Sequence, residues 1–370
     1  MTLTSNKKVY VIAEIGVNHN GSIKRAKEMI KLCKINGADA VKFQAYKAKN
    51  IADTFVSKAK YQKLDNKTES QYEMLKKYEL NDDDFFMLYK YATKLGIDFI
   101  STAADTIALI FLNSKLKLKT IKIGSSDITN IQLLINAGRT KKNIIISCGL
   151  STIENIDIAL SALCYGYNKK DFNFDYKKDC NLYLKHDQYL STKVSLLHCT
   201  TDYPAPLDEL NLNVINTLSK KYKTSIGYSD HSNSLITPII ATSKNISMIE
   251  VHVTMNKSLK GPDHKSSLNF KEFSQYVANI RKTELMTGSF EKKITSSERI
   301  NLLSIRKNLV YKNNMRKGQK ISEDDLTAKR TKSGISAIKF FSVINATLLK
   351  SVEKDTVVKK LLPKNISEEI

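Results

Sequence analysis

From Val9 onward, short apolar runs rich in β-branched residues alternate with longer amphipathic stretches. This alternation is typical of repeated βα units, in which helices cover a parallel sheet. The apolar runs predict eight strands, at Val9–Ile15, Ala40–Phe43, Asp98–Ser101, Thr120–Ile123, Asn143–Ser147, Ser195–His198, Thr224–Tyr228 and Ile249–Val253. Apolar residues at helical spacing predict helices between them, such as Ile23–Asn36 and Asp82–Lys94. Together these elements predict an α/β fold, a closed (β/α)8 TIM barrel.

Two segments interrupt this pattern. Residues 288–300 are charged, contain Ser and lack apolar periodicity. They predict a linker between a barrel domain at 1–287 and a small β-rich domain at 301–370, which is short enough to be only marginally stable alone. Tyr165–Thr192 is rich in Lys, Asp, Asn and Tyr, and we predict a solvated surface loop there.

Polar residues stand at or near the carboxyl end of every predicted strand. They are Glu14, Lys42, Thr102, Lys122, Ser147, His198, Ser229 and His252. Any one of them could be a cap or turn residue, but the full set is hard to explain in that way. Because TIM-barrel chemistry takes place at this face, the row predicts an active site.

The last two strands deliver histidines. His231 follows the seventh strand and His252 lies in the eighth. A lone histidine is more often structural, but imidazoles at successive strand ends can face one cavity and share a divalent metal ion. Such an ion could polarise a carbonyl group.

The remaining polar residues predict a site for a phosphorylated carboxylate. Lys42 and Lys122 would supply positive charge. The neighbouring hydroxyl groups, which would supply short hydrogen bonds, belong to Thr102, Ser125, Ser147 and Ser229. Glu14 and Asp127 are carboxylates placed to move protons or to orient water. A phosphate cradle, a Lewis acid and a carboxylate together suggest the addition of a phosphoenol carbon to an aldehyde.

The amino-acid composition is that of a globular protein without membrane spans. The 42% hydrophobic and 26% charged content is ordinary for a globular protein, and no apolar run has the length of a membrane span. The N-terminal stretch Met1–Lys8 is polar and has no apolar signal core. The five cysteines are scattered and show no CxxC spacing, which favours a reducing, cytoplasmic location over a disulfide framework or a zinc knuckle.

The formal net charge of +22 raises the question of nucleic-acid binding. The lysines are spread along the whole chain, often at solvent positions of helices, as at Lys24, Lys27, Lys31 and Lys34. A nucleic-acid site would concentrate them in a stripe with stacking aromatic residues. The charge therefore favours small anionic substrates over nucleic acid or membrane partners.

Several blocks carry a family resemblance. They are Ala13–Gly21, Val41–Gln44, Lys122–Ser125, His198–Pro204, Gly227–His231 and Gly261–His264. In this order they resemble the signature blocks of the sialic acid synthase family. The segments Arg306–Val310, Lys317–Ile321, Asp325–Leu326 and Lys329–Arg330 resemble its appended C-terminal antifreeze-like (SAF, β-clip) domain. Such enzymes are transferases that condense phosphoenolpyruvate with an N-acylated mannosamine-type sugar, releasing phosphate and giving a nine-carbon 2-keto acid.

The resemblance implies roles for individual residues. It implies that His231 and His252 bind a divalent metal, manganese in most members, with magnesium or cobalt as alternatives. The residues implied to hold phosphoenolpyruvate are Lys42, Thr102, Lys122, Ser125, Ser147 and Ser229. Those implied to face the sugar are Gln44, Asp127, Thr201, Tyr203 and Asp263. It also implies a domain-swapped homodimer, in which Arg330 reaches the sugar in the partner's barrel.

Three departures from the family pattern matter. Asp127 replaces the glutamate of many members, and Thr331 replaces the proline after Lys329-Arg330. Thr201 replaces the asparagine of some members and is similar to the branch that makes legionaminic acid from a diacetamido-trideoxy sugar. The runs Lys60-Tyr61-Gln62 and Glu69-Ser70-Gln71 are similar to the same branch. The acceptor therefore stays open between the sialic and legionaminic types.

Two other function classes compete with this interpretation. One is a phosphoenolpyruvate aldol enzyme on the same barrel that makes a sugar-acid phosphate, against which the appended C-terminal domain argues. The other is a non-catalytic protein that binds sugar or nucleic acid, which would have no need for the full row of polar strand ends.

Overall fold

A computed structural model of the chain describes residues 8–58 and 69–359. Eight parallel strands pair in chain order, and β1 also pairs with β8, which closes the barrel. The strands are β1 Tyr10–Gly16, β2 Ala40–Ala45, β3 Asp98–Ala103, β4 Thr120–Ile123, β5 Asn143–Ser147, β6 Val194–His198, β7 Ser225–Asp230 and β8 Met248–Thr254. A short β9, Leu268–Asn269, extends the sheet beside β8. The predicted TIM barrel is confirmed.

Helices connect the strands and pack outside them. In the barrel unit they are α1 Ile23–Ile35, α2 Ala48–Ile51, α3 Gln71–Tyr78, α4 Asp82–Lys94, α5 Thr106–Ile110, α6 Ile131–Arg139, α7 Ile153–Asn168, α8 Tyr176–His186, α9 Gln188–Lys193, α10 Val214–Lys221, α11 Thr237–Ser243 and α12 Phe270–Thr287. Polar side chains begin many of them. Ser70, Asn81 and Asn269 each accept a hydrogen bond from the backbone N–H three residues on, in capping boxes. The main apolar core lies between these helices and the strands.

The barrel interior is layered. A small apolar cluster of Ile12, Ala40, Ile100, Ile145 and Leu197 lies inside, apart from the main core. Side chains two residues apart on a strand point the same way, so the next inward layer begins two residues later. That layer is polar, and in the order β1, β2, β3 and β5 it consists of Glu14, Lys42, Thr102 and Ser147. The pleat of the strands thus places an apolar layer directly beneath a polar layer.

The predicted surface loop at Tyr165–Thr192 is wrong. This segment completes α7 and forms α8 and α9, and Tyr167, Tyr183 and Leu190 are buried in the main core. The Tyr167 ring stacks on Tyr189 with centroids 4.7 Å apart, while its hydroxyl donates to the Lys142 carbonyl. Tyrosine can bury its large apolar ring while its hydroxyl forms a hydrogen bond. The polar composition of the segment gave no sign that these rings are buried.

A second compact unit spans Ser289–Ile370, after a first unit at Met1–Gly288. Its strands β10 Lys307–Tyr311 and β11 Leu326–Arg330 are antiparallel, and its own small core includes Leu309. Its helices are α13 Ser296–Ile305 and α14 Phe340–Val343. The predicted linker at 288–300 therefore contains the start of a helix, which Thr295 caps. Among the helices of the described residues, none is long and apolar enough to cross a membrane.

Candidate active site

A cavity of about 300 Å³ lies at the carboxyl ends of the barrel strands. Its lining includes every site residue that the sequence predicts in the barrel unit apart from His198. These are Glu14, Lys42, Gln44, Thr102, Lys122, Ser125, Asp127, Ser147, Thr201, Tyr203, Ser229, His231, His252 and Asp263. Arg330 lies in the second unit, at the exposed end of β11.

His198 has a structural environment instead. It was predicted in the row of strand-end residues, but its Nε2 lies 2.8 Å from the Leu210 carbonyl, and it is not among the described residues that line the cavity. Burial lowers its pKa. The imidazole therefore fastens the segment after β6, which explains its polarity without a role in the site.

Two buried lysines and two buried carboxylates form the floor of the site. Lys42 Nζ lies 2.8 Å from Glu14 Oε2, and Lys122 Nζ lies 3.1 Å from both carboxylate oxygens of Glu250. Lys42 is also 3.8 Å from Glu250, which accepts a hydrogen bond of 3.0 Å from Ser229 Oγ. Sequence reasoning missed Glu250. The available signal was a charged residue inside a buried strand, two positions before His252 and on the same face.

The charges of this floor depend on one another. Burial alone would raise the pKa of Glu250, but Lys122 and Lys42 outweigh it and hold the pKa at about 2. Burial raises the pKa of Glu14, and Lys42 limits the rise. Burial would lower the pKa of Lys42, yet Glu14 and Glu250 keep it above its ordinary value. Each ion is tolerated in the barrel interior because its partner is present.

The two predicted metal ligands face one another. The rings of His231 and His252 have centroids 5.7 Å apart, and Tyr203 packs on His231 at 4.2 Å. His231 Nδ1 is 2.7 Å from the Thr200 carbonyl, an acceptor, so Nδ1 carries the proton. Nε2 keeps its lone pair and lies 3.3 Å from Ser229 Oγ. Burial, followed by the neighbouring charges, lowers the pKa of each histidine to about 3. Both imidazoles are neutral near pH 7, the form that binds metal ions.

The donor set fits a divalent ion. His252 Nδ1 is buried and has no hydrogen-bond partner among the described residues, and Asp263 Oδ2 lies 3.9 Å away. Within residues 8–58 and 69–359, no group of three or more His, Cys, Asp or Glu side chains is arranged as a metal site. An ion held by the two imidazoles would therefore take its other ligands from water or substrate.

Unpaired polar atoms point to a bound molecule. Ser147 Oγ and Thr201 Oγ1 are buried, line the cavity and have no hydrogen-bond partner within the described part of the chain. Because an unsatisfied buried hydroxyl costs free energy, such groups are expected to bind a ligand. Asp127 ends a short 3-10 turn and accepts hydrogen bonds from Ser126 and Asn130, and burial raises its pKa.

One side of the cavity is apolar. We call it the apolar wall, and it consists of Val17, Tyr46, Ile51, Met74, Leu75 and Tyr78. The Tyr46 hydroxyl donates to the Leu75 carbonyl at 3.0 Å, and the Glu79 carboxylate accepts from the Ala48 N–H at 3.0 Å. These bonds tie the segment after β2 to α3. Sequence analysis placed no site residue between Gln44 and Thr102, where most of the wall lies, and so missed it. Lys60–Gln62 lies outside the described residues.

Glu250 allows a test of this electrostatic arrangement. Glu250→Gln keeps the shape but leaves Lys122 without its carboxylate, and we expect the free energy of unfolding to fall by about 3–5 kcal/mol at pH 7. The matched double variant Glu250→Gln/Lys122→Met should regain part of this loss. Urea denaturation at equilibrium would measure both changes, and an unchanged unfolding midpoint for Glu250→Gln would contradict the assigned ion pair.

The same comparison has a defined pH dependence. The pKa of Glu250 is depressed in the folded protein, so its stabilising contribution is complete above the unfolded value of about 4.5. It is lost as the pH falls from there towards about 2. The difference between wild type and Glu250→Gln should therefore be constant from pH 7 to about 5 and shrink below about 4.5.

Known proteins resemble this chain over most of its length. Residues 29–292 match the NeuB family. The chain is 37% identical over 355 residues to the N,N'-diacetyllegionaminic acid synthase of Campylobacter jejuni, across 96% of this chain and 100% of that protein. It is 36% identical to the N,N'-diacetyllegionaminic acid synthase of Legionella pneumophila, across 96% of this chain and 94% of that protein. The crystal structure of N-acetylneuraminic acid synthetase from Leptospira borgpetersenii, in complex with citrate, shares 28% identity at a TM-score of 0.66 and covers 82% of this chain and 94% of that chain. The chain belongs to the NeuB family, the sialic acid synthases.

Proposed function

We propose that this protein condenses phosphoenolpyruvate with an N-acylated mannosamine-type sugar to give a nonulosonic acid and phosphate. The observation that carries the proposal is a single cavity that holds a lysine pair, unpaired hydroxyls and two neutral imidazoles. The family and the names of the relatives support the same reaction. The protein would act as a carbon–carbon bond-forming transferase in the cytoplasm.

Lys42 and Lys122 bind the phosphate and carboxylate of phosphoenolpyruvate in this proposal. Their ammonium groups are fixed by Glu14 and Glu250, so they do not need to be ordered when substrate enters. The unpaired hydroxyls of Ser147 and Thr201 would complete the hydrogen bonds of the bound substrates.

The reaction joins carbon 3 of phosphoenolpyruvate to the aldehyde carbon of the open-chain sugar. The aldehyde oxygen takes up a proton, and water adds to carbon 2. Asp127 orients this water and accepts one of its protons, since burial makes its carboxylate more basic than usual. Breakage of the carbon 2–oxygen bond then releases phosphate, which takes the remaining proton of the added water, and leaves the 2-keto acid. The proton on Asp127 balances the one taken up by the aldehyde oxygen. A divalent ion on His231 and His252, manganese by resemblance, would supply Lewis acidity toward a substrate carbonyl.

We further propose a diacetamido-trideoxy sugar as the acceptor. The apolar wall offers contact surface for methyl groups, and the Tyr46 hydroxyl is already bonded to Leu75. A sugar hydroxyl placed against this wall would lose hydrogen bonds to water, whereas a deoxy or acetamido methyl would gain contact. Two relatives named as N,N'-diacetyllegionaminic acid synthases support the same choice.

The products provide the direct test. With phosphoenolpyruvate, 2,4-diacetamido-2,4,6-trideoxymannose should give a nine-carbon acid and phosphate, at a kcat/KM roughly 10–200-fold above that for N-acetylmannosamine. Mass spectrometry and phosphate release would measure both. A preference for N-acetylmannosamine would contradict the proposed acceptor alone. Turnover only with phosphorylated sugars would instead favour the competing sugar-acid phosphate synthase.

Metal binding can be measured apart from turnover. His231→Ala and His252→Ala should each weaken Mn²⁺ binding by at least about 10-fold, as followed by electron paramagnetic resonance of the free ion. His198→Ala is the matched control, since His198 is a buried histidine whose Nε2 faces the Leu210 carbonyl, and it should bind Mn²⁺ like the wild type. Equal binding by all three variants would disprove the assigned ligands.

A swapped dimer is the proposed assembly. The described lining of the cavity contains lysines and no arginine, while Arg330 is exposed at the end of β11 in the second unit. The family resemblance implies that this arginine reaches the sugar in the barrel of a second copy. The antifreeze-like nature of the second unit is part of this proposal.

Mixing two inactive variants would test the exchange. If Arg330 serves the neighbouring barrel, His231→Ala and Arg330→Ala homodimers are both inactive, but a mixed dimer has one site with both defects and one with neither. Random co-refolding makes roughly half of the dimers mixed, so about a quarter of all sites should recover. If Arg330 serves its own barrel, mixing leaves every site with one defect, and no activity returns.

A further inference from the structure

The loops after β1 and β8 contain buried side chains to which the proposed reaction gives no role. Asn18 follows β1 and His264 follows β8, and both are fully buried. Because β1 and β8 pair to close the barrel, these loops are neighbours although their residues are far apart in sequence. Asp263, whose buried carboxylate lines the cavity, directly precedes His264.

The first connection runs through Asn18. Its Nδ2 donates to the Val253 carbonyl at 2.8 Å and to Ser267 Oγ at 2.8 Å. Ser267 Oγ in turn donates to the carbonyl of Asp263 at 2.6 Å. The loop after β1 thus holds the Asp263 backbone through one intermediate hydroxyl, and all of these bonds are shielded from water.

The second connection runs through His264. Its Nδ1 lies 2.7 Å from Thr254 Oγ1, and its Nε2 lies 3.0 Å from Asn20 Oδ1. Asn20 Nδ2 donates to the Lys260 carbonyl at 2.9 Å, which fixes the orientation of the amide. An amide oxygen only accepts, so His264 Nε2 carries a proton. Gly261 packs so closely that a Cβ there would lie 2.8 Å from His264 Cδ2.

We propose that these connections form a two-loop lock, made of Asn18, Asn20, His264 and Ser267, that positions Asp263 for the acceptor sugar. The lock holds Asp263 on both sides, through its own carbonyl and through the next side chain. Its members are positioning residues, since they act through Asp263. This role rests on the proposed condensation. Displacing a group in an active site by about 1 Å can cost roughly 10²-fold in rate.

A double-mutant cycle tests the lock. His264→Asn shortens the side chain and breaks at least one bond, and Asn20→Gly removes only the Asn20 side chain at a residue whose φ of 48° suits glycine. We expect each to lower kcat/KM for the acceptor by roughly 10–100-fold, with the KM for phosphoenolpyruvate changed by less than about 2-fold. In an Asp263→Asn background, the same substitutions should cost almost nothing further, because their target is already lost.

His19→Asn is the matched control. His19 belongs to the same loop and is 2% exposed, but its Nδ1 accepts from the Gly21 N–H within that loop. Any loss it causes should be the same in both backgrounds. Thermal unfolding of every variant would distinguish a loss of folding from a displacement of Asp263.

The remaining outcomes distinguish the two proposals. If His264→Asn and Asn20→Gly cost the same factor with and without Asp263, they do not act through that residue and the lock is disproved. An equal rise in the KM for phosphoenolpyruvate would also disprove it. If the wild type forms no nonulosonic acid from any acceptor, the proposed function is wrong and the role of the lock in it fails as well.

Discussion

The ion network of Lys42, Lys122, Glu14 and Glu250 is the constraint on which the site depends. An unpaired charge inside the barrel would cost several kcal/mol, so each lysine requires a carboxylate nearby. Glu14 and Lys42 are register partners on β1 and β2, whereas Lys122 reaches Glu250 on β8 across the interior. The network contains two lysines and two carboxylates, so its formal charges cancel. In the proposed reaction, these ammonium groups, which the carboxylates hold in place, bind an anionic substrate.

This network also explains which parts of the site could be predicted from the sequence. Glu14 and Lys42 stand near the ends of apolar runs, where polar residues are conspicuous. Glu250 lies inside such a run, between Ile249 and Val251, and becomes interpretable only once the pleat aligns it with His252. The strands themselves follow from local apolar patterning. The partner of Lys122 follows from barrel closure, a long-range event that no short window of sequence contains.

The apolar wall and the helical structure of Tyr165–Thr192 were missed for a related reason. Both depend on aromatic and mixed residues whose burial is decided by packing between distant elements. Tyr167 and Tyr46 look polar in composition, yet each buries its ring and satisfies its hydroxyl on a backbone carbonyl, of Lys142 and Leu75 respectively. The sequence alone says little about whether such a side chain is buried, because the same residue occurs both in exposed loops and in packed interiors.

In the proposed reaction, the chemistry of the site and its selectivity rest on different elements. The charged floor stands on barrel strands, where a lost charge partner destabilises the fold along with the site. The apolar wall stands on the connection after β2 and on α3, and Asp263 stands on the loop after β8. Substitutions such as Met74→Gln can change the contacts offered to an acceptor without touching Lys122 or Glu250. In the proposed reaction, acceptor preference can therefore change between related barrels while the charged floor stays fixed. A change in the apolar wall leaves the ion pairs of the floor intact, whereas a change in the floor destabilises the fold.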